Sequence, residues 1–201
     1  MIDARLRRLI DPPLDRIGAG LATQGIGADA VTVAGFGLGV AAWAALAVQA
    51  YGIALALVLL NRLCDGLDGA VAQHAGATDR GGYLDIVLDF IFYAGVPFFF
   101  AVGRPEAALP AAFLAFSFMG TASSFLTFAV FAAKRGITTV ARGRKSLYYL
   151  DGLTEGAETI AFFVLICLAP SWFAPAAWTF GGLCWVTAAS RIATGVATFA
   201  D

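Results

Sequence analysis

Four aspartates lie in two pairs within apolar sequence, and their spacing is the clearest sign of chemistry in this chain. Asp65 and Asp68 are three residues apart, and Asp85 and Asp89 are four residues apart. Because a helix has 3.6 residues per turn, each pair lies on one face of a helix. A short glycine-containing link, residues 74–81, lets the two helices run antiparallel so that the pairs face each other. Carboxylates in a membrane segment are costly unless they are paired, hydrated or bound to a cation, so the four together predict a divalent-metal site.

The ligand chemistry of this predicted site favours a hard cation. Its donors are carboxylate oxygens, and the sequence has no histidine or cysteine at metal-type spacing. Such a donor set favours Mg²⁺ or Mn²⁺ over zinc, and two such ions roughly 3.5–4 Å apart are the arrangement used in phosphoryl transfer. Gly66, Gly69, Gly81 and Gly82 interleave with the aspartates and would let a diphosphate or nucleotide approach the backbone closely. The alternative is that these glycines only pack membrane helices against each other.

Composition places the chain among integral membrane proteins of the all-α class. Of its 201 residues, 60% are hydrophobic and 13% are charged, whereas a soluble domain carries roughly 25% charged residues. We expect one domain over residues 1–201, with an amphipathic surface helix at 1–20 followed by a bundle of six transmembrane helices at 30–199. Apolar residues at helical spacing, with arginines between them, predict the surface helix, which either anchors the chain or binds anionic lipid headgroups. Asp11-Pro12-Pro13 should bend or end this helix.

Each of the six predicted spans is within reach of the roughly 20 residues that a membrane helix requires. They lie near residues 30–50, 51–72, 82–103, 107–133, 152–169 and 172–199. In the first span, Gly35 and Gly39 form a small-xxx-small pattern that predicts close packing against a neighbouring helix.

Basic residues predict the orientation of these spans. The N-terminal segment and the link between the fourth and fifth spans are rich in Arg and Lys, whereas the links on the other side hold only Arg104. The positive-inside rule then places both termini in the cytoplasm. In that orientation the four aspartates share one depth near the cytosolic side with Glu155, Glu158 and Arg191. One shared depth favours a single water-filled cavity, open to the cytosol, over scattered structural ion pairs.

The two pairs belong to one longer pattern, Asp65-x-x-Asp68-Gly69-x-x-Ala72 followed by Gly81-x-x-x-Asp85-x-x-x-Asp89. This pattern resembles the signature of the CDP-alcohol phosphotransferases, also called CDP-alcohol phosphatidyltransferases. The resemblance extends to the surface helix and the six spans, and the stretch from Lys145 onward is similar to a bacterial inner-membrane branch of the family. The chain departs from the family pattern in having Gln73 where the family usually has Arg, and in a gap before Gly81 that is shorter by about one residue.

The resemblance implies an enzyme of phospholipid biosynthesis in the bacterial inner membrane. Its donor would be CDP-diacylglycerol or a similar CDP-linked lipid, whose phosphatidyl group passes to an alcohol with release of CMP. The resemblance further implies two divalent ions, Mg²⁺ or Mn²⁺, and assembly as a homodimer among membrane lipids. No nucleic-acid partner is expected.

The resemblance also assigns roles by position. Asp65, Asp68 and Asp85 would bind metal, and Asp89 would share in metal binding or act as the base that takes the proton of the attacking hydroxyl. Four residues would line the donor nucleotide: Gly69, Ala72, Gln73 and Gly81. Thr32 is a further candidate for a donor contact, and Arg62 or Arg80 would supply the charge that Gln73 lacks.

The acceptor pocket should come from the fourth to sixth spans. Arg142, Arg144 and Lys145 either form the positive-inside flank or point inward, in which case the acceptor is itself phosphorylated, as glycerol 3-phosphate is. Glu155 and Glu158, which lie on one helical face, would bind an amine or sugar hydroxyls, or would be held by Arg191 as a structural pair.

Two other functions fit parts of this pattern. A divalent-cation transporter would use the aspartates as an ion path, but no carboxylates continue such a path across the outer half of the bilayer, and no internal repeat typical of transporters is present. A non-catalytic relative that binds a nucleotide-linked lipid without turnover would be consistent with Gln73.

Overall fold

The computed structural model describes residues 2–137 and 153–200, with side chains from residue 10 onward, and its regular structure in these ranges is entirely helical. Two short 3₁₀ turns, Pro105–Ala107 and Pro170–Trp172, precede the fifth and seventh helices. The α-helices are α1 (Ile2–Thr23), α2 (Ala28–Ala47), α3 (Tyr51–Ala75), α4 (Asp79–Gly103), α5 (Ala108–Lys134), α6 (Gly156–Leu168) and α7 (Phe173–Thr198).

Helix α1 does not end at its two prolines. Pro12 and Pro13 lie inside it, although each lacks the N–H that an interior helical position would donate. Two residues of the following turns are buried against α3: Leu14 is 7% exposed, and a Cβ on Gly18 would lie 2.8 Å from Ala70. Packing against α3 therefore keeps the chain helical beyond Pro12 and Pro13, where the local sequence favours a break.

Helix α2 packs against both α3 and α4, and its small residues allow this close approach. Gly35 faces Cys64 of α3, where an added Cβ would lie 2.7 Å from the Cys64 Cβ. Gly39 faces the Phe92 ring of α4 at the same 2.7 Å. The predicted close-packing role of this glycine pair is confirmed.

The link between α3 and α4 is shorter than the sequence predicts. It consists of residues 76–78 rather than 74–81, so α3 extends to Ala75 and α4 begins at Asp79. Gly76 has a φ of +98°, in the region that favours glycine, and it follows the last turn of α3. Thr78 caps α4 by accepting a hydrogen bond from the Gly81 N–H at 3.0 Å, a standard way to satisfy a free N-terminal donor.

Three helical segments in the described ranges are long and apolar enough to cross a membrane: Ala28–Ala47, Asp79–Gly103 and Pro105–Lys134. Helix α6 is apolar but has 13 residues, or roughly 20 Å of helix. Helices α3 and α7 have 25 and 26 residues and are long enough to cross a membrane. They are not among the candidate spans because their composition is not apolar enough. The described ranges are thus all-helical and consistent with a membrane protein, and the count of six spans stays a prediction.

The aromatic core begins one turn beyond the last aspartate of the motif. Phe92 is fully buried between Trp43 of α2 and Phe163 of α6, with ring-centroid distances of 6.4 and 6.0 Å. Further along, Phe100 stacks on Phe173 of α7 at 3.9 Å. The carboxylates therefore lie at the edge of a rigid apolar core that fixes the helices bearing them.

A methyl group at Gly35 should disturb this arrangement, whereas one at Gly37 should not. Gly35→Ala would place a carbon 2.7 Å from the Cys64 Cβ, but nothing lies within 4 Å of the corresponding position at Gly37. We expect Gly35→Ala to lower stability by about 1–3 kcal/mol through overpacking, and Gly37→Ala to leave it unchanged or slightly higher. Thermal unfolding in detergent measures both variants, and equal midpoints would show that α2 and α3 can separate at no cost.

Candidate active site

The four aspartates of the motif line one narrow cleft among α2, α3 and α4. Two further residues singled out from the sequence, Thr32 and Arg62, also line it. The complete lining is Thr32, Gly35, Phe36, Asn61, Arg62, Asp65, Asp68, Asp85, Leu88 and Asp89. Helices α3 and α4 thus present their carboxylates to a shared space, as the antiparallel arrangement predicts.

An ion pair crosses this cleft between the two motif helices. Nη1 of Arg62 on α3 lies 2.6 Å from Oδ1 of Asp89 on α4 and 3.7 Å from Oδ1 of Asp65. The Arg62 side chain is 9% exposed and that of Asp89 is 26% exposed. The Asp89 Oδ1 atom is itself buried, and the Asp89 side chain also lines the cleft.

Arg62 is held by neutral groups as well as by carboxylates. Its Nε donates to the Asn61 Oδ1 at 2.8 Å, and its Nη1 donates to the Tyr93 hydroxyl at 2.9 Å. The guanidinium also lies over the rings of Phe92 and Tyr93, at 4.7 and 5.0 Å from their centroids, a favourable cation–π geometry. Asn61 is 3% exposed and donates to the Gly35 carbonyl at 2.8 Å, so the support reaches α2.

The sequence analysis did not assign Asn61 or Tyr93 to the site, although the position of each residue in the sequence could have indicated it. Asn61 is the only asparagine in the chain and lies four residues before Asp65, within an apolar run. Tyr93 follows Asp89 by four residues. Residues four apart lie on one helical face, so each was within one turn of a predicted ligand.

Asp68 is the most deeply buried carboxylate of the four, at 5% residue exposure. Its Oδ2 accepts a hydrogen bond from the Thr32 hydroxyl at 2.6 Å, and Thr32 lies 3.1 Å from the Ala28 carbonyl of its own helix. The hydroxyl has a single hydrogen, and the shorter contact is to the carboxylate. The structure therefore places Thr32 as a support of Asp68.

The donor set of the cleft fits a hard divalent cation, because its four carboxylate side chains present oxygen ligands. In the part of the chain that the structure describes, no three His, Cys, Asp or Glu side chains are close enough together to hold one ion. The partners described above hold two of these carboxylates in their present orientation: Arg62 binds Asp89, and Thr32 binds Asp68.

The four motif glycines fall into two classes. Gly66 lies under Leu14 of α1 and Gly81 lies beside Asp29 of α2, where added Cβ atoms would be 2.9 Å from the neighbouring atoms. At Gly69 and Gly82 nothing lies within 4 Å, and both residues are exposed. Close packing explains Gly66 and Gly81. At Gly69 and Gly82, by contrast, the backbone of the two helices that bear the aspartates is exposed.

The remaining donor-side candidates lie at the C-terminal end of α3 and the start of α4. Ala72 is half-buried and Gln73 is exposed, and neither belongs to the cleft lining. Arg80 has an 80% exposed side chain, and its Nε lies 3.3 Å from the Oδ2 of Asp29 in the first turn of α2. Asp29 is a charged neighbour of the motif that the sequence analysis did not single out.

The acceptor-side candidates lie apart from the carboxylate cleft or outside the described residues. Glu155 and Glu158 form a capping box, in which each side chain accepts a hydrogen bond from the backbone N–H of the other. Arg191 is 9% exposed, donates to the Thr121 carbonyl at 3.4 Å and lies over the Phe125 ring. None of these three candidates lines the cleft. Three basic candidates lie outside the described residues: Arg142, Arg144 and Lys145.

Comparison with known proteins agrees with the motif and the fold. The family model for CDP-alcohol phosphatidyltransferase matches residues 25–193. The chain belongs to this family. The matched range contains both aspartate pairs and helices α2 to α6 in full, so membership rests on the segment that forms the cleft.

Two curated relatives and one solved structure illustrate this membership. Inner membrane protein YnjF of Escherichia coli is 51% identical over 98% of this chain and 97% of its own length. Archaetidylinositol phosphate synthase of Pyrococcus horikoshii is 32% identical over 50% of this chain and 54% of its own. The crystal structure of Mycobacterium tuberculosis phosphatidylinositol phosphate synthase with CDP-diacylglycerol bound has a TM-score of 0.67, covers 91% of this chain and 93% of that one, and shares 21% identity.

Removal of the Asn61 side chain should destabilise the protein through the groups it leaves behind. Asn61→Ala would remove the partner of the buried Arg62 Nε and one of the hydrogen bonds to the Gly35 carbonyl, which also accepts a bond within α2. A buried group left without its partner costs about 1–3 kcal/mol. We expect a lower unfolding midpoint in detergent, with Gln73→Ala, at an exposed position of the same helix, as the unchanged control. A midpoint for Asn61→Ala equal to that of the control would indicate that water replaces both bonds.

Proposed function

We propose that this protein transfers a substituted phosphate group, such as phosphatidyl, from a CDP-linked lipid to an alcohol and releases CMP. The observation that carries this proposal is the single cleft lined by all four aspartates of the family motif. Family membership supports a transferase of this class, and the chemistry of the cleft supplies the groups such a reaction needs.

In the proposed reaction the oxygen of the acceptor hydroxyl attacks the phosphorus atom that bears the lipid. A new P–O bond forms to the acceptor, and the bond from that phosphorus to the bridging oxygen of the diphosphate breaks, so CMP leaves with the electron pair. Asp89 is proposed to take the hydroxyl proton as a general base. Asp89 lines the cleft while its Oδ1 lies against Arg62, which supports this role.

Asp65, Asp68 and Asp85 are the residues proposed to hold the divalent cations, Mg²⁺ or Mn²⁺, and Asp89 is proposed either to share in that binding or to act as the base alone. When bound, such a cation neutralises the diphosphate and stabilises the charge that develops on the leaving CMP. Thr32 orients Asp68 by hydrogen bonding. These carboxylates would supply the oxygen ligands at the edge of the aromatic core.

The donor nucleotide is proposed to lie along the open backbone at Gly69. This residue lies one turn after Asp65 on the same face of α3, and space is open where a side chain would be. Ala72 and Gln73 continue α3 toward its end, and Gly81 lies in the first turn of α4. Arg80 is the exposed cation in this region and is proposed to supply the charge that Gln73 does not.

The acceptor is proposed to be a polyol phosphate. Two proteins that resemble this chain, one in sequence over half of its length and one in fold, are named archaetidylinositol phosphate synthase and phosphatidylinositol phosphate synthase, and these names support inositol phosphate as the first acceptor to test. The basic residues between α5 and α6, Arg142, Arg144 and Lys145, are proposed to bind its phosphate.

The protein is proposed to act at the cytosolic face of the bacterial inner membrane, with both termini in the cytoplasm. The 51% identity to an inner membrane protein supports the location, and the distribution of basic residues supports the orientation. A homodimer is proposed on the family resemblance.

Release of CMP tests the reaction directly. Purified protein is incubated with CDP-diacylglycerol, Mg²⁺ or Mn²⁺, and one acceptor from a panel: inositol phosphate, glycerol 3-phosphate, inositol, serine or phosphatidylglycerol. We expect metal-dependent release with one acceptor, and a loss of at least about 100-fold in Asp89→Asn, because a missing general base costs roughly 10²–10⁴-fold. Comparable turnover in Asp89→Asn would remove Asp89 from catalysis. Donor binding without release, with every acceptor, would instead indicate a non-catalytic binding protein.

Substitution of Gly69 separates donor binding from folding. The Cβ of Gly69→Leu would meet no neighbouring atom within 4 Å, the position is exposed, and Leu has the higher helix propensity, so stability should not fall. The side chain would nevertheless occupy the proposed donor surface, and we expect CDP-diacylglycerol affinity to fall at least about tenfold, or roughly 1.4 kcal/mol. Gly37→Leu, at the open position on α2, is the matched control. Equal affinities in the two variants would place the donor elsewhere.

A further inference from the structure

The four carboxylates of the cleft are not grouped around a single point. In the described ranges, no three His, Cys, Asp or Glu side chains are close enough together to hold one ion. All four aspartates nevertheless line the same cleft, and two of them are held by other groups: Arg62 pairs with Asp89, and Thr32 bonds Asp68. A divalent cation that several of these carboxylates share therefore requires at least one of them to turn away from its present position.

Arg62 is the charged group that opposes such a rearrangement. Its Nη1 lies 2.6 Å from Oδ1 of Asp89 and 3.7 Å from Oδ1 of Asp65, so it contacts carboxylates of both motif helices. A cation bound by either aspartate would lie close to the guanidinium, and like charges at short range repel strongly where little water screens them. Arg62 and a divalent cation therefore compete for the same oxygens.

The hydrogen bonds that hold Arg62 are made to neutral groups. Its Nε donates to Asn61 and its Nη1 donates to the Tyr93 hydroxyl, while the guanidinium lies over the Phe92 ring. Among the described residues, Oδ1 of Asp89 has no hydrogen-bond partner, so its short contact with Nη1 is an ion pair without an aligned hydrogen bond. Asp89 can therefore exchange Arg62 for another cation while the hydrogen bonds of the guanidinium stay in place.

We propose that Arg62 is a built-in counter-ion, which pairs with Asp65 and Asp89 until divalent cations displace it from their oxygens. When no such cation is bound, it compensates the charge of these carboxylates. It also lowers their apparent affinity for the cations, because binding then includes the cost of separating the pair. The inference rests on the proposed function, since it concerns the cations proposed for that same cleft.

The affinity for Mn²⁺ measures this competition without any turnover. Purified full-length protein in detergent is titrated with Mn²⁺, with neither donor nor acceptor present, and free Mn²⁺ is measured by electron paramagnetic resonance. Arg62→Gln removes the competing charge. We expect it to bind Mn²⁺ at least about tenfold more tightly, because a competent state populated at about 10% or less weakens apparent affinity by that factor. Unchanged or weaker binding in a folded Arg62→Gln variant would overturn the inference.

Arg80→Gln is the matched control for a general change in charge. It removes a guanidinium of α4 whose side chain is 80% exposed and pairs with Asp29 rather than with the motif aspartates. The field of such an exposed charge is screened by water and salt, so the affinity for Mn²⁺ should stay near that of the wild type. A gain in Arg80→Gln as large as that in Arg62→Gln would show a long-range charge effect and would overturn the inference.

Thermal unfolding adds a readout that a merely structural role of Arg62 would not produce. Without divalent cations, Arg62→Gln leaves Asp65 and Asp89 without their counter-charge, so its unfolding midpoint should fall below that of the wild type. Saturating Mn²⁺ should close this gap, because the ion replaces the lost charge and binds the folded protein. A variant that folds only with Mn²⁺ present would support the inference, whereas an equal gap with and without Mn²⁺ would overturn it.

Infrared spectroscopy covers the case in which Arg62→Gln does not fold under either condition. Mn²⁺ is added to wild-type protein and to Arg62→Lys, both prepared with isotope-labelled arginine. We expect a guanidinium band of the wild type to shift as its carboxylate partner leaves, and the shift to be missing from Arg62→Lys. The same spectrum for both proteins would overturn the inference.

The failure of this inference and the failure of the proposed function give different results. Release of CMP by the wild type, together with no gain of Mn²⁺ affinity in Arg62→Gln, would overturn the inference alone. If no variant binds Mn²⁺ and the wild type releases no CMP with any acceptor, the proposed function fails with it.

Discussion

Compensation of charge within an apolar helical bundle is the constraint on which this structure depends. Four carboxylates and one guanidinium lie at the edge of an aromatic core, and each charged group there is costly unless its field is balanced. The Arg62–Asp89 pair provides part of that balance, and it also fixes the separation of α3 and α4 at the level of the cleft. The same contact therefore contributes to the fold and shapes the site.

The support of this pair reaches three helices through short, specific contacts. Asn61 connects Arg62 to the Gly35 carbonyl, and Gly35 is small enough for α2 to approach α3. Thr32, almost one turn earlier on α2, bonds Asp68. Helix α2 carries no charged group in the cleft lining, yet it sets the orientation of charged groups on both neighbours. A family motif confined to two helices thus depends on a third helix that the motif does not mention.

The sequence was most informative where the information is local. The spacing of the aspartates fixed their helical faces, and the Gly35–Gly39 pattern predicted a close contact that the structure contains. Pairing between Arg62 and Asp89 could not be read in the same way, because it depends on how α3 and α4 are rotated about their own axes. Residue spacing gives a face and a depth, but the choice among neighbouring partners is made by tertiary packing.

Other residues have a role in the structure that differs from the predicted one, because their sequence pattern has more than one interpretation. Glu155 and Glu158, three residues apart, were candidate acceptor ligands, but this spacing is also that of a capping box, and the helix N-terminus uses both side chains. Thr78 before Asp79 is an N-cap pattern, and it begins α4 earlier than hydropathy alone indicated. At Pro12 and Pro13 the local preference for a break was real, and burial of the following turns outweighed it.

The three-residue link between α3 and α4 also bears on how the chain enters the membrane. Helix α3 carries Arg62, Asp65 and Asp68 and is not apolar enough to be a candidate span by itself, whereas α4 is one. Each such charge costs about 3 kcal/mol at the centre of an isolated inserting helix. A link at residues 76–78 is too short for α4 to lag far behind α3, so the two are suited to insertion as a helical hairpin. In that route α3 and α4 enter the membrane together, so Asp89 is available to neutralise Arg62 during insertion.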